Sequence, residues 1–154
     1  MQREQLIDTW LNQVLPQQDF KINYLAGDAS FRRYARIELS SQRYMLMDAP
    51  PEKEDCVPFV TIDEFFDTNG VRVPHIVAKD LEQGFLLLED FGDVLLSTQL
   101  DDKTVDGHYE QSFKQLIQLQ SIDGEGHFPA YSYEKLMTEM SLLTDWLLPS
   151  LQIQ

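Results

Sequence analysis

The sequence predicts an α+β fold in which a five-stranded antiparallel sheet with helices is followed by two further helices. Short segments whose apolar residues occupy every second position alternate with stretches whose apolar residues recur every three or four positions. The loops between the first three strand-like segments are too short for the crossover that parallel strands need, so these strands are expected to be antiparallel. The expected order is helix, three strands, helix, two strands, helix, helix.

The first half of this order begins with a helix that carries four apolar residues at helical spacing: Leu6, Trp10, Leu11 and Val14. This helix is expected to end before Pro16. Alternation of apolar and polar residues then predicts strands over 20–24 and 34–39, and a third short strand over 44–47 follows a turn. The pair Pro50-Pro51 is expected to end the third strand.

The second half begins with a helix over 58–68, for which Gly70 is the stop signal. Strands are predicted at 75–78 and 85–89. The last of these carries four consecutive apolar residues, so it is expected to lie inside the sheet with both faces covered. Two helices over 105–120 and 133–148 complete the pattern, and Asp101 or Asp102 is the expected cap of the first.

Charge and composition exclude several classes of partner. The 154 residues contain 12 Lys and Arg against 26 Asp and Glu, which gives a net charge of −14. Nucleic acids and anionic membrane surfaces would be repelled, so neither is expected as a partner. The lone Cys56, expected to be a small apolar filler, cannot form an internal disulfide, and no apolar run approaches the ~20 residues of a membrane span. A polar N-terminus adds to the expectation of a cytoplasmic protein.

The loop between the first two strands carries most of the functional interest. It reads Leu-Ala-Gly-Asp-Ala-Ser-Phe-Arg-Arg-Tyr over 25–34. Small residues in a hairpin loop let backbone N–H groups approach phosphate oxygens, and Arg32 and Arg33 add positive charge. Taken alone, the loop favours a plain turn that carries a surface arginine pair, because a glycine-poor loop is a weak signal of phosphate binding.

Three stretches of the sequence follow one another in the order of a kinase small lobe, and together they favour the phosphate-binding loop over the plain turn. They are 27–34, 46–56 (Leu-Met-Asp-Ala-Pro-Pro-Glu-Lys-Glu-Asp-Cys) and 80–90 (Asp-Leu-Glu-Gln-Gly-Phe-Leu-Leu-Leu-Glu-Asp). On these stretches the chain resembles the aminoglycoside phosphotransferase family over essentially its whole length. Within that family it is most similar to the bacterial anomeric sugar kinases that act on N-acetylmuramate and N-acetylglucosamine, which would place it in cell-wall recycling.

The resemblance implies a protein-kinase-like fold with ATP between two lobes. The small lobe and hinge would cover 1–92, and 93–154 would be the start of an incomplete helical lobe. A sugar hydroxyl would accept the phosphoryl group with the help of Mg²⁺, once the rest of that lobe is present. The nucleotide-binding residues implied are the loop residues Gly27, Asp28, Ala29, Ser30, Phe31 and Arg32, then Met47 on the third strand, and the hinge residues Glu89, Asp90 and Phe91.

The triplet Asp90-Phe91-Gly92 spells the metal-binding motif of protein kinases. We assign it to the hinge instead, because the catalytic loop of kinases precedes that motif and the sequence contains no H-x-D. Moreover, Asp90 directly follows an apolar strand, as a hinge residue would.

The sequence also departs from the kinase pattern. The third strand lacks the Lys that pairs the α- and β-phosphates, and Arg32, Arg33 or Lys53 are the candidates to replace it. Glu64 lies where kinases place the partner of that Lys, although a solvated helix carboxylate is an equally good interpretation. The Mg²⁺ ligands and the acid that orients the acceptor are expected after residue 154, so no catalytic or metal-binding residue is assigned.

Three functional hypotheses follow. The chain is the ATP-binding part of a sugar phosphotransferase, inactive alone because the catalytic loop is absent. Alternatively, it is a non-catalytic module that binds a nucleotide or a protein, in which case the apolar residues of its last helix would be partly exposed (Tyr133, Met137, Met140 and Leu147). The third possibility is a truncated product without an independent function.

Overall fold

The computed structural model describes residues 2–27 and 30–151, so Asp28 and Ala29 lie outside the described residues. The chain divides into two compact units, residues 1–121 and 122–154. The third long helix is grouped with the sheet in the first unit. The lobe boundary expected after residue 92 stays a prediction.

The described part of the first unit begins with two helices and five strands in the predicted order, and the third long helix (Val105–Gln120) follows them. The two helices and five strands are α1 (Arg3–Val14), β1 (Lys21–Tyr24), β2 (Arg33–Glu38), β3 (Arg43–Asp48), α2 (Val57–Thr68), β4 (Ile76–Asp80) and β5 (Phe85–Glu89). The predicted boundaries hold to within one residue except at β4, which begins and ends later than expected. A register shift between Ile76 and Ala78 interrupts its pairing with β5.

The five strands form one antiparallel sheet in the order β1-β2-β3-β5-β4. β5 therefore pairs on both sides, as its apolar run predicts: Phe85 to Leu88 are all buried. The expected α+β class and the five-stranded antiparallel sheet are confirmed.

The core has one layer on each face of the sheet. On the first face α1 covers the strands, with Ile7, Trp10, Leu11 and Leu15 packed against Ala35, Ile37, Leu46, Phe85 and Leu87. On the second face α2 covers Met47, Leu86 and Leu88, and Cys56 is buried in the same cluster. A fully buried side chain of this size contributes roughly 1.5–3 kcal/mol through burial, so both helices are held to the sheet mainly by their apolar faces.

Local signals set the ends of α2. The Asp55 carboxylate accepts a hydrogen bond from the Val57 N–H at 2.8 Å, and Pro58 occupies the first turn, where no intrahelical N–H is needed. Gly70 follows the helix with a φ of +76°, the left-handed conformation that terminates many helices. This geometry confirms Gly70 as the stop signal.

α3 (Val105–Gln120) follows a 3₁₀ turn at Leu96–Thr98. Asp101, one of the two residues expected to cap it, accepts the N–H groups of Lys103 and Thr104, both at 2.8 Å. Gln118 near its C-terminal end donates to the Asn69 carbonyl at 2.8 Å, which ties α3 to the end of α2. None of the residues of α3 is buried.

The second unit contains α4 (Tyr133–Leu142), which continues through a π-helical turn (Leu143–Leu147) into a short helix (Leu148–Ser150). Ser132 caps α4 by accepting a hydrogen bond from the Lys135 N–H at 3.2 Å. The apolar stripe expected on this helix is exposed within its own unit. In residues 2–27 and 30–151, no helix combines the length and apolar character that crossing a bilayer requires.

Candidate functional site

Two pockets adjoin on the α2 face of the sheet. The first, here called the hinge pocket, has a volume of about 260 Å³ and is lined by Tyr34, Met45, Phe59, Pro74, Leu88, Glu89, Asp90, Phe91 and Gly92. The second, called the α2 pocket, has a volume of about 380 Å³ and is lined by Arg32, Pro58, Phe59, Ile62, Asp63, Phe66, Val73 and Pro74. Because Phe59 and Pro74 line both, the two pockets are direct neighbours.

The hinge pocket has an apolar floor because three adjacent strands present side chains on the same face. Tyr34 lies on β2, Met45 on β3 and Leu88 on β5, and Met45 is directly opposite Leu88 in the antiparallel register. Phe59 from α2 and Pro74 before β4 close the sides. An apolar slot with backbone polar groups at one rim is the usual construction of a site for a planar aromatic ligand.

The Glu89 side chain is engaged within the protein. Arg72 donates to both of its carboxylate oxygens, at 2.8 and 2.5 Å, and the His75 N–H lies 3.3 Å from Oε2. The hydrogen bonds from Arg72 lower the pKa of Glu89. The same Arg72 guanidinium lies 4.5 Å from the centre of the Phe91 ring. The Glu89 N–H also donates to the His75 carbonyl at 2.8 Å, so any contact between Glu89 and a ligand in the pocket would use its backbone carbonyl.

The Asp90 carboxylate is almost completely buried and is surrounded by donors. Arg36 Nε lies 2.5 Å from Oδ2 and Arg43 Nε lies 3.2 Å from the same atom. The N–H of Gly92, whose φ is +81°, donates to Oδ1 at 2.7 Å and closes a tight turn. Hydrogen bonding to Arg36 lowers the pKa of Asp90. With two guanidinium groups and a backbone N–H around it, this carboxylate supports the chain turn and has no open side for a metal ion.

The described part of the β1–β2 loop is open to solvent. A Cβ atom at Gly27 would have no neighbour within 4 Å, and the Arg32 N–H donates to Ser30 Oγ at 3.1 Å. Phe31 is exposed, with Lys53 Nζ 4.7 Å from its ring centre. The phosphate contacts expected of Asp28 and Ala29 concern residues outside the described part.

The three candidates to replace the third-strand Lys lie in different places. Arg33 turns to the α1 face, where its Nε and Nη2 lie 2.9 and 2.6 Å from Oδ2 of the buried Asp48. Lys53 covers the Phe31 ring. Arg32 lines the α2 pocket, and its Nε lies 3.3 Å from Glu54 Oε2. Of the three, Arg32 is the one that the structure brings to a pocket.

The acid of α2 that lines a pocket is Asp63, one residue before the expected Glu64. Glu64 pairs with Lys79 of β4, at 2.5 Å. Asp63 is 8% exposed and forms no hydrogen bond or ion pair with any described residue. Burial raises its pKa, and the neighbouring acids Asp67 and Glu64 add to this effect. Sequence reasoning missed Asp63, although its spacing of four residues from Phe59 and three from Phe66 places it on the buried side of the helix.

Among the predicted site residues that the structure describes, Gly27, Ser30 and Phe31 of the β1–β2 loop line neither pocket, and nor does Met47. The Met47 side chain is fully buried in the α2-face core, where the Tyr34 hydroxyl lies 3.4 Å from its sulfur. Among the residues that the structure describes, no group of three or more His, Cys, Asp or Glu side chains is arranged to hold a metal ion.

Comparison with known proteins identifies the family. A family model described as "Phosphotransferase enzyme family" matches residues 21–154. The chain is 37% identical to the N-acetylmuramate/N-acetylglucosamine kinase of Pseudomonas aeruginosa and 33% identical to that of Neisseria meningitidis, in each case over 95% of its length. It is also 37% identical to the kinase of the same name from Pseudomonas putida over 79% of its length.

The chain spans less than half the length of these relatives, namely 46%, 45% and 36%. The similarity nevertheless includes the sheet, the hinge and α3, and the family match begins with β1. The resemblance inferred from the three sequence stretches is confirmed, and the chain belongs to the phosphotransferase enzyme family.

Proposed function

We propose that this chain is the nucleotide-binding part of an ATP-dependent phosphotransferase whose acceptor is an amino sugar. The observation that carries the proposal is the pair of neighbouring pockets on the α2 face, with Glu89, Asp90 and Phe91 in one and Arg32 in the other. An adenosine phosphate has the matching layout, with a planar base at one end and a polyanion at the other. The family membership supports the reaction class.

The adenine ring would occupy the hinge pocket between the strand side chains and Phe59. Because the carboxylates of Glu89 and Asp90 are engaged by arginines, the backbone groups of 89–91 would meet the base edge. The phosphates would extend past Phe59 toward the β1–β2 loop, where backbone N–H groups and Arg32 could donate to them. Charge-assisted hydrogen bonds of this kind are about twice as strong as neutral ones.

The acceptor is proposed from the relatives, whose names specify N-acetylmuramate and N-acetylglucosamine. Phosphoryl transfer also needs Mg²⁺ to screen charge and an acid to orient the acceptor hydroxyl. The described residues provide neither, so the 154-residue chain is expected to bind nucleotide and to transfer phosphate negligibly by itself. The same proposal includes two lobes like those of a protein kinase, with residues 1–92 in the small lobe and residues 93–154 in the helical lobe.

Nucleotide binding by the 154-residue chain is the direct test. Calorimetric titration with ADP and with ATP should give a dissociation constant in the range of about 10 μM to 1 mM, typical of enzyme substrates. A chimera that joins residue 154 to the remaining half of the P. aeruginosa relative should then consume ATP when N-acetylglucosamine is added. If the chain binds neither nucleotide and the chimera is inactive with both amino sugars, the proposal is wrong.

A second candidate function is a binding module without catalysis. The observation that favours it is the exposed apolar surface of α3, where Phe113 is 56% and Ile117 is 65% exposed. Exposed apolar patches mark surfaces that bind other proteins. Static light scattering and binding of a hydrophobic dye distinguish the cases. Association that increases with protein concentration would support a binding module. A chain that is monomeric at about 100 μM and binds no dye would count against it.

A further inference from the structure

We infer that Arg36 is a positioning residue that holds the hinge in the conformation in which its backbone reads a nucleobase. The inference rests on the proposed function. It concerns a side chain that lies in neither pocket and that the sequence did not single out. Arg36 is in the middle of β2, two strands away from β5, with which β2 forms no backbone pairing.

The Arg36 guanidinium extends past β3 and binds two hinge carboxylates at once. Its Nε and Nη2 lie 2.5 and 3.2 Å from the two oxygens of Asp90. Its Nη1 and Nη2 lie 2.7 and 2.9 Å from the two oxygens of Asp93. A planar guanidinium that makes paired contacts with two carboxylates fixes both their distance and their orientation. Residues 90–93 are thereby tied to the centre of the sheet.

Two other arginines contact the hinge, but their side chains are less confined than that of Arg36. Arg43 and Arg72 are more than half exposed, whereas the Arg36 side chain is 13% exposed. Arg43 contacts Asp90 through one atom at 3.2 Å, and Arg72 binds Glu89 on the opposite side of the turn. Arg36 is therefore the least exposed of the three arginines and the one that binds the carboxylates of both Asp90 and Asp93.

The connection to base recognition is through Asp90. Its Oδ1 accepts both Arg36 and the N–H of Gly92, so the same carboxylate that Arg36 holds also sets the turn at 90–92. The three residues of this turn line the hinge pocket. Hydrogen bonds to a base edge need donors and acceptors placed within about 0.5 Å of the productive position. Without Arg36, the turn would lose the contact that fixes this placement.

The test compares Arg36→Met, Arg36→Lys and the matched control Arg33→Met in the 154-residue chain. Arg33 also donates to a buried Asp, but on the α1 face. Calorimetry with ADP and GDP should show that the wild type prefers one of the two by at least about tenfold, that Arg36→Met removes most of this preference, and that Arg36→Lys keeps part of it. The control should change both affinities by the same small factor.

The base preference separates positioning from a general loss of structure, which would weaken both nucleotides equally. If Arg36→Met does not fold, Asp93→Asn provides the second variant, because Asp93 is 72% exposed and can be changed without opening the core. It should reduce the base preference about threefold and speed amide exchange at 90–93. A wild type that binds both nucleotides equally, or variants that keep the wild-type preference, would overturn the inference. Absence of any nucleotide binding would instead refute the proposed function itself.

Discussion

Gly84 lies so close to the backbone carbonyl of Ala49 that a Cβ atom at residue 84 would overlap the Ala49 oxygen. The two residues are also joined by a hydrogen bond of 2.9 Å from the Ala49 N–H to the Gly84 carbonyl. This contact locks the β4–β5 turn to the segment that follows β3. The φ of +73° at Gly84 further excludes most other residues.

Gly84→Ala is expected to destabilise the fold by more than about 2 kcal/mol, since it adds a backbone clash to the cost of a left-handed conformation. Gly70→Ala is the matched control, because Gly70 has a similar φ of +76° and its Cβ would have only an ordinary contact of 3.7 Å with Gln118. The control should lose about 1 kcal/mol. Urea unfolding at 25 °C measures both, and equal losses would show that the Ala49 contact is unimportant.

Arg32→Ser is expected to weaken ADP binding about tenfold and to leave adenosine binding within about twofold, because the side chain lies at the phosphate end of the proposed site. Arg33→Ser, on the opposite face of the sheet, is the control and should affect neither ligand by more than about twofold. Titration calorimetry with the two ligands provides the measurement. Equal weakening of ADP and adenosine would place Arg32 away from the phosphates.

Asp63→Asn is expected to stabilise the protein at neutral pH. Burial raises the pKa of Asp63, so the charged form is disfavoured in the folded state. Stability is therefore lost as the pH rises from the unfolded pKa through the folded one, and the Asn variant avoids this loss. A gain of the order of 1 kcal/mol would raise Tm by about 2–4 °C at pH 7 and by almost nothing at pH 3. Thermal unfolding at the two pH values measures the difference, and a Tm lowered at pH 7 would contradict the prediction.

Acidification is expected to destabilise the fold because it protonates the carboxylates of Asp90 and Asp93. Arg36 lowers the pKa of both Asp90 and Asp93. Their contribution to stability is complete above the ordinary Asp pKa near 3.8 and disappears as the pH falls through the lowered values. Arg36→Met should therefore lose less stability than the wild type between about pH 5 and pH 2.5.

Lys114→Met is the control for this experiment, because Lys114 and Glu110 form an exposed pair on α3 that contributes little. Denaturant unfolding at a series of pH values measures how the free energy of unfolding of each variant changes with pH. A wild type and an Arg36→Met variant with parallel pH profiles would show that the arginine does not couple to these carboxylates.

Much of the fold is encoded in local patterns that can be recognised without coordinates. The apolar run from Phe85 to Leu88 predicted that β5 lies inside the sheet, and the short turn between β2 and β3 predicted an antiparallel pair. β4 was harder to predict, and its pairing with β5 shifts register between Ile76 and Ala78. The general position of the site, between the β1–β2 loop and the end of β5, followed from the family resemblance.

The finer construction of the site depends on contacts between residues far apart in the chain. The Arg36 side chain on β2 passes β3 to reach Asp90 at the end of β5. No spacing rule in the sequence connects positions on β2 and β5. The sequence singled out Glu64 and missed Asp63 because both fit a helix, and only the direction of α2 relative to the sheet brings Asp63 to the pocket. Local sequence signals contain no information about that direction.

The strand order has a consequence for how the protein is made. β3 pairs with β5, so Tyr44 finds its partner Glu89 only after α2 and β4 have been synthesised. Until then, the nascent β1–β2–β3 meander carries an open edge on β3 that can pair with other chains. Closing a loop of this length is entropically costly and slow compared with forming the local hairpins. Insertion of β5 is therefore the step at which folding and aggregation compete on the ribosome.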